Sequence, residues 1–286
     1  MQNNMMNLRY KNNKRIPIEN EKFPGLQFKT ISDLGIVAHM FSTRLGGVST
    51  GDVSSLNFAW DRDSNCDNVV ENFRRAGEWL GFNPENIIGG DQTHTANVRR
   101  VTKEDAGHGV TREKYFHNVD GLVTNEVGLL LYTSHADCVP LYFVDPVKKA
   151  IGLAHSGWRG TQAGIGLNTV KLMEKEFGSS PEDIIAAIGP SICVDCYEVS
   201  RDLYDAFEAS ELYKDADLSK IIFDKGNDKY QLDLWKANEY ILLKAGILPE
   251  NIEITGLCTC CNKEFLFSHR GSKGKRGVLG AFLGLK

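Results

Sequence analysis

The chain is expected to fold as α/β of the α+β type, in one domain. Two observations predict this. Apolar runs of four or five residues read as buried strands, and segments of helical periodicity lie between some of them. The two kinds of segment mix without the regular βαβ rhythm of a doubly wound sheet. The length of 286 residues gives room for a core that needs no staples, and no internal repeat or low-complexity linker divides it.

In chain order, residues 1–20 are expected to form a disordered tail, polar and Asn-rich over 1–13. Residues 35–43 read as a strand running into a Gly-rich turn that carries Arg44, Gly46 and Gly47. A helix is predicted over 67–80, with Val69, Val70, Phe73 and Leu80 on one face and Asp67 as its cap. Residues 86–89 begin a strand region that leads to His94. Two apolar runs, 129–132 and 141–144, flank His135-Ala136-Asp137-Cys138, and Asp145-Pro146 closes the second. A strand over 150–154 ends at His155. A helix over 161–177 stops at Gly178. Beyond it come a strand at 184–188, helices at 201–209 and 232–245, and strands at 252–256, 265–267 and 278–282.

Composition narrows the function. Apolar residues make up 42% and charged residues 24%, with a formal net charge of -4 and a sequence pI near 6.0. Such a balance argues against nucleic acid as a general partner, which calls for a basic domain or stripe. No apolar run approaches the roughly 20 residues that span a bilayer, and the N-terminus lacks the apolar core of a signal peptide. A cytoplasmic location without membrane partners is therefore expected. The seven cysteines are odd in number, and in a reducing compartment they serve more often as ligands, nucleophiles or core residues than as disulfides.

Three segments each place one metal-competent side chain beside small or turn-forming residues: Gly90-Asp91-Gln92-Thr93-His94-Thr95, His135-Ala136-Asp137-Cys138-Val139-Pro140 and Ala154-His155-Ser156-Gly157-Trp158-Arg159-Gly160. One thiolate and two imidazoles suit a borderline-soft ion such as zinc, and three protein ligands leave a fourth position open for chemistry. His94, Cys138 and His155 are the metal candidates. Taken singly, His94 also reads as a turn histidine and Cys138 as a buried core thiol. Arg44 and Arg159, each among glycines, are the candidate anchors for an anionic substrate, and Asp137 is a candidate proton carrier or ligand-orienting group. A second set of thiols, Cys193, Cys196, Cys258, Cys260 and Cys261, contains one evident pair with two intervening residues, at 193 and 196. Together these thiols could form a four-thiolate structural zinc site, but the run from 258 to 261 is read as lacking the spacing of the first pair, and packed thiols are the preferred reading. No Walker A loop, dinucleotide fingerprint, His-Glu-x-x-His helix or Gly-x-Ser-x-Gly elbow is present.

Asp91-Gln92-Thr93-His94, Ala136-Asp137-Cys138-Val139-Pro140, His155-Ser156-Gly157-Trp158-Arg159-Gly160, Ile188-Gly189-Pro190 and Cys258-Thr259 resemble the multicopper-oxidase-like, laccase-domain family. It is also called the polyphenol oxidase or purine nucleoside phosphorylase family. The match runs from about residue 35 to the C-terminus. The resemblance implies a single-domain sandwich of mixed β-sheets flanked by helices, with residues 21–286 as the catalytic domain. It implies zinc held by His94, Cys138 and His155, with Arg44 near nucleoside and phosphate. The implied activity is phosphorolysis of adenosine, inosine, guanosine and methylthioadenosine, with deamination of adenosine. Purine nucleosides and inorganic phosphate are then the partners of a monomer or small homo-oligomer. Copper-dependent phenol oxidation is the alternative, and a metal-free cysteine hydrolase using Cys138 and His155 is another. Two departures stand out: Phe267-Ser268-His269-Arg270 has His where the family has Tyr, and His135 lies three residues before Cys138 and competes as a ligand.

Overall fold

The computed structural model of the chain describes residues 8–11 and 25–286. Its elements, in order, are β1 (Gly25–Leu26), α1 (Lys29–Ser32), β2 (Val37–Ser42), α2 (Cys66–Leu80), β3 (Ile87–Gly89), β4 (Val98–Arg100), β5 (Gly121–Thr124), β6 (Leu130–His135), β7 (Val139–Asp145), β8 (Ala150–Ser156), α3 (Trp158–Gln162) and α4 (Ile165–Phe177). They continue with β9 (Ile185–Ile188), β10 (Glu198–Ser200), α5 (Arg201–Glu208), β11 (Ile222–Gly226), β12 (Lys229–Leu232), α6 (Leu234–Lys244), β13 (Ile252–Ile254) and β14 (Leu279–Leu285).

The strands form a five-stranded sheet in the order β1-β2-β14-β6-β3, a six-stranded sheet in the order β13-β9-β7-β8-β5-β4, and a small antiparallel sheet β10-β12-β11. Both large sheets are mixed. In the first, β3 runs parallel to β6 while β14 is antiparallel to both its neighbours. In the second, β13 is parallel to β9 and β4 to β5, whereas β7 and β8 form an antiparallel hairpin.

Burial of both faces explains the continuous apolar runs. Along β7, Tyr142 and Val144 face the other large sheet, packing with Leu131 of β6 and Phe41 of β2. The alternate residues Val139, Leu141 and Phe143 pack on the opposite side with α4 and α6, through Val170, Ile241 and Leu242. The five-stranded sheet in turn buries Met40, Leu130 and Phe282 against Val69, Phe73 and Ala76 of α2. The chain thus stacks α2, two sheets and an outer helix layer, a sandwich of mixed sheets flanked by helices.

Several boundaries differ from those the periodicity predicts. Asn65, not Asp67, caps α2, accepting the N–H of Asp67, and Val70 is exposed while Ala76 joins the buried face. The predicted helix over 161–177 is two helices. The second begins after Gly164, whose φ of 76° is left-handed, and ends at left-handed Gly178. Leu232 belongs to β12, and α6 starts behind Asp233, whose side chain accepts from Trp235 N and Lys236 N. Residues 265–267 lie in a turn and bend rather than a strand, and their Leu266 and Phe267 are buried in the core that also holds Phe41, Leu257 and Leu279. Residues 8–11 of the expected tail lie against the body: Tyr10 bridges to Leu257, and Arg9 N donates to Asn262 Oδ1 at 2.7 Å. The rest of the predicted tail lies outside the described residues. No described helix is long and apolar enough to cross a membrane.

One core histidine ties stability to pH. His39 on β2 is 1% exposed, and its Nε2 accepts the N–H of Phe28 at 2.8 Å. Burial, with nearby Lys286, pushes its pKa down to about 3. The folded ring stays neutral where the unfolded ring, with an ordinary value of about 6.5, takes a proton. Its contribution is therefore present above about pH 6.5 and is lost as pH falls, at up to about 1.4 kcal/mol per pH unit until the folded value is reached. Denaturant unfolding at neutral and mildly acidic pH is expected to show a shallower pH dependence for His39→Gln than for the wild type. Equal slopes would remove His39 as a source of acid lability.

Candidate active site and metal centre

Three neighbouring strands of the six-stranded sheet end together at the site. Cys138 is the residue before β7, His155 is near the end of β8, and Asp120 is the residue before β5. The register fixes their mutual placement, pairing Val139 with Ser156 and Gly121 with Ala154. His155 N also donates to the Asp120 carbonyl at 2.7 Å. The third predicted residue, His94, arrives from the loop between β3 and β4. The Nδ1/Nε2, Sγ and Nδ1/Nε2 atoms offered by His94, Cys138 and His155 lie within 4.8 Å of one another. Three segments far apart in sequence thus converge on one point.

Asp120 organises this convergence, and sequence reasoning did not find it. Its carboxylate is fully buried. Oδ1 accepts His94 N at 3.0 Å and faces His155 Nδ1 at 2.8 Å. Oδ2 accepts Thr93 N at 3.2 Å, Thr95 N at 2.8 Å and Thr95 Oγ1 at 2.8 Å. One acid thus holds the His94 loop and orients the His155 ring so that Nε2 is left for another partner. Burial raises the Asp120 pKa, but His155 and Thr95 outweigh it and the net shift is downward.

Electrostatics favour a thiolate. Burial pushes the Cys138 thiol up, yet His155 and His94 bring it down to about 6. Burial likewise disfavours charge on His155, but Cys138 and Asp120 raise it to about 9. The Asp120–His155–Cys138 line therefore holds alternating charge in the metal-free protein. Two strained backbones aim the ligands: His94 has φ 65° and Asp137 has φ 83°.

Space is cleared by Gly157. A Cβ there would stand 2.8 Å from His94 Cδ2, 3.2 Å from Cys138 Sγ and 3.7 Å from His155 Cε1. Its φ of -71° suits any residue, so the constraint is contact with the trio. Gly157→Ala is expected to displace the exposed His94 ring, costing about tenfold or more in metal affinity and as much as 100-fold in turnover, with little loss of fold stability. Competition with a chromophoric chelator measures the first effect. Wild-type affinity in that variant would show that the trio does not meet as described.

The other predicted residues are placed differently. Arg44 gives Nε to Ser54 O at 2.8 Å and Nη1 to Lys263 O at 3.2 Å, with its guanidinium 4.6 Å over Phe267. Those bonds anchor the Gly-rich turn to the C-terminal loop. Arg159 is exposed and stacks 4.3 Å over Trp158. Asp137 spends its carboxylate on Thr259 Oγ1 at 2.6 Å and Arg270 N at 2.7 Å. It tethers two loops beside Cys138 instead of bonding to either imidazole. His135 is buried, its Nε2 at 2.8 Å from Thr133 Oγ1 and its Nδ1 at 3.2 Å from the Cys138 carbonyl. Both nitrogens are engaged, which removes it from competition as a ligand.

A basic group not foreseen from sequence faces the same side. Burial lowers the Arg276 pKa, followed by repulsion from Arg62, while Asp137 and Cys138 act in the opposite sense. Its Nε is buried without a hydrogen-bond partner. His269, beside Arg270, feels Arg276, Arg62 and Asp137 as well. Arg276 and Arg62 thus share this flank of Cys138 with the acids Asp137 and Asp61, and one guanidinium donor there is unused.

Residues 38–286 match the family model described as multi-copper polyphenol oxidoreductase laccase. The chain is 39% identical over 250 residues to a Bacillus subtilis (strain 168) protein named purine nucleoside phosphorylase YlmD, covering 86% of this chain and 87% of that one. Its structure resembles that of a Bacillus licheniformis hypothetical protein, YfiH, with a TM-score of 0.88 at 33% identity over 94% of this chain and 99% of the other. It also resembles that of YlmD from Geobacillus stearothermophilus, with a TM-score of 0.85 at 35% identity over 95% and 99% of the two chains. The chain belongs to the multi-copper polyphenol oxidoreductase laccase family.

Proposed function

We propose that this chain is a zinc-dependent purine nucleoside phosphorylase. It takes inosine, adenosine, guanosine and methylthioadenosine with inorganic phosphate, and it deaminates adenosine as well. The observation that carries the reading is the closed trio of His94, Cys138 and His155, with Nε2 of His155 left available by Asp120. The name of the Bacillus subtilis relative supports the reaction class. One thiolate and two imidazoles at these spacings fit zinc with a fourth position open. When bound by these residues, zinc supplies a Lewis acid for a substrate oxygen.

The rest of the work falls to the chain. Phosphorolysis forms a bond from phosphate oxygen to ribose C1′ as the bond to the purine nitrogen breaks, and the purine leaves with a proton. Arg276, with its unused Nε, holds the phosphate; Arg159 and Arg44 are the further anchors for anionic groups. Much of the acceleration is positioning of two small reactants. Asp120 holds His94 and His155 in place. All seven cysteines are free thiols, in keeping with a cytoplasmic enzyme, monomeric or a small homo-oligomer, that acts on small molecules.

The test is release of free base from inosine and adenosine with and without phosphate, with bound metal quantified in the same preparation. Release is expected to require phosphate, and Arg276→Gln to raise the KM for phosphate about 10- to 100-fold, the scale of a lost charged hydrogen bond. Stoichiometric zinc with no nucleoside turnover would overturn the reading and direct attention to phenol oxidation. A second reading has one observation in its favour: the Asp120–His155–Cys138 line is also the geometry of a cysteine nucleophile with an oriented base. It predicts full activity without metal.

A further inference from the structure

We propose that Cys193, Cys196, Cys258 and Cys261 hold a second, purely structural zinc ion. All four sulfur atoms lie within 4.8 Å of one another, and Cys196 Sγ is 3.6 Å from Cys261 Sγ. A tetrahedral ion with zinc–sulfur bonds of about 2.3 Å needs sulfur–sulfur separations of about 3.8 Å, so small rotamer adjustments close the site. Each half is a turn with two residues between its thiols. The second pair, Cys258 and Cys261, is masked in the sequence by the intervening Cys260, which is not part of the group. Cys193 N and Cys261 N both approach Cys258 Sγ, at 3.3 and 3.4 Å. Backbone N–H groups directed at one sulfur stabilise a thiolate there, as an outer shell does around a metal.

The surroundings fit a closed ion site. Cys193 and Cys258 are buried and the other two half-buried. A zinc with four thiolates carries a net charge of about -2, and Lys11 lies within electrostatic reach of Cys193 and Cys261 while bonding Asp195 at 2.9 Å. Four protein ligands leave no open position, which separates this site from the trio.

Its role follows from what the two turns touch. Ile192 N, next to Cys193, donates to the Asp137 carbonyl at 3.0 Å. Thr259, inside the other turn, donates to Asp137 Oδ1 at 2.6 Å. Asp137 is left-handed and immediately precedes Cys138. An ion clamping segments more than sixty positions apart fixes both supports of the turn that aims Cys138. It also secures residues 8–11 through Asn262, whose Nδ2 reaches Arg9 O at 3.0 Å and Cys258 O at 2.8 Å. The proposal does not depend on the substrate or on the activity of the trio.

The experiment counts zinc in the Cys138→Ala protein, which lacks the trio's thiolate, and records the absorption of its cobalt-substituted form. About one tightly held zinc per chain is expected, with the intense bands of a tetrathiolate cobalt site. Both are lost in Cys138→Ala combined with Cys258→Ser. A folded Cys138→Ala protein with no zinc and no thiolate cobalt bands overturns the proposal, as does zinc-free protein with these four cysteines in disulfides. Should the doubly substituted chain fail to fold, the metal content and spectrum of Cys138→Ala decide the matter alone.

Discussion

Replacing Cys138 or His155 with alanine is expected to lower kcat/KM for phosphate-dependent cleavage of inosine by about 1000-fold or more, a loss of roughly 4 kcal/mol of transition-state stabilisation. Each change removes one of three ligand atoms that lie within 4.8 Å of one another. The two variants differ in stability. Cys138 is half-buried and stands in a turn, so its truncation costs on the order of 1 kcal/mol. His155 is buried, and its loss also strips the Asp120 carboxylate of its Nδ1 partner, adding a further penalty of about 1–3 kcal/mol. Steady-state rates, bound zinc and thermal midpoints measured together separate the effects. Wild-type rates in both variants would end the assignment of this trio to the chemistry.

The second large effect is expected at Asp120, whose carboxylate is spent on the His94 loop and on His155. Asp120→Ala removes the acceptor of Thr93 N, His94 N, Thr95 N, Thr95 Oγ1 and the partner of His155 Nδ1. Leaving buried donors unpaired is expected to lower stability by about 3 kcal/mol. Asp120→Asn is the gentler test. Its amide oxygen still serves one side, while its amide nitrogen meets the N–H donors on the other. The His94 loop loosens, His155 loses a charged partner, and zinc affinity is expected to fall about 10- to 100-fold. Without Asp120 the His155 value, raised to about 9 in the wild type, moves down, so the imidazolium of the metal-free protein deprotonates at lower pH. Titration of the His155 ring by NMR in metal-free Asp120→Asn checks this. An unchanged titration would mean that Asp120 only supports the loop.

The three candidate ligands were visible for two local reasons: Cys138 breaks an apolar run and His155 ends one, while His94 stands in a polar turn segment between two short strands. Cys138 and His155 flank a hairpin whose apolar strands are plain in sequence. Asp120 was not legible. It is a single acid between Val119 and Gly121, and its role depends on β5 pairing with β8, more than thirty positions away. Arg276 was hidden for a similar reason, since only folding brings it near Cys138. The β11–β12 hairpin carried a local signal in Gly226-Asn227-Asp228, all three with positive φ, which the charged, exposed β11 obscured. Gly164 inside a helical run marked the break between α3 and α4. The apolar triplet at 265–267 misled because burial came from packing side chains under a turn. For the thiols, a three-residue spacing from Cys258 to Cys261 was present but crowded by Cys260.

The most direct test of the central claim is the rate of phosphate-dependent inosine cleavage by protein stripped of metal at the trio and then titrated with zinc or copper. The account predicts activity below detection after stripping and recovery in proportion to zinc bound at His94, Cys138 and His155. Full activity in the metal-free protein, or recovery with copper and not with zinc, would contradict it.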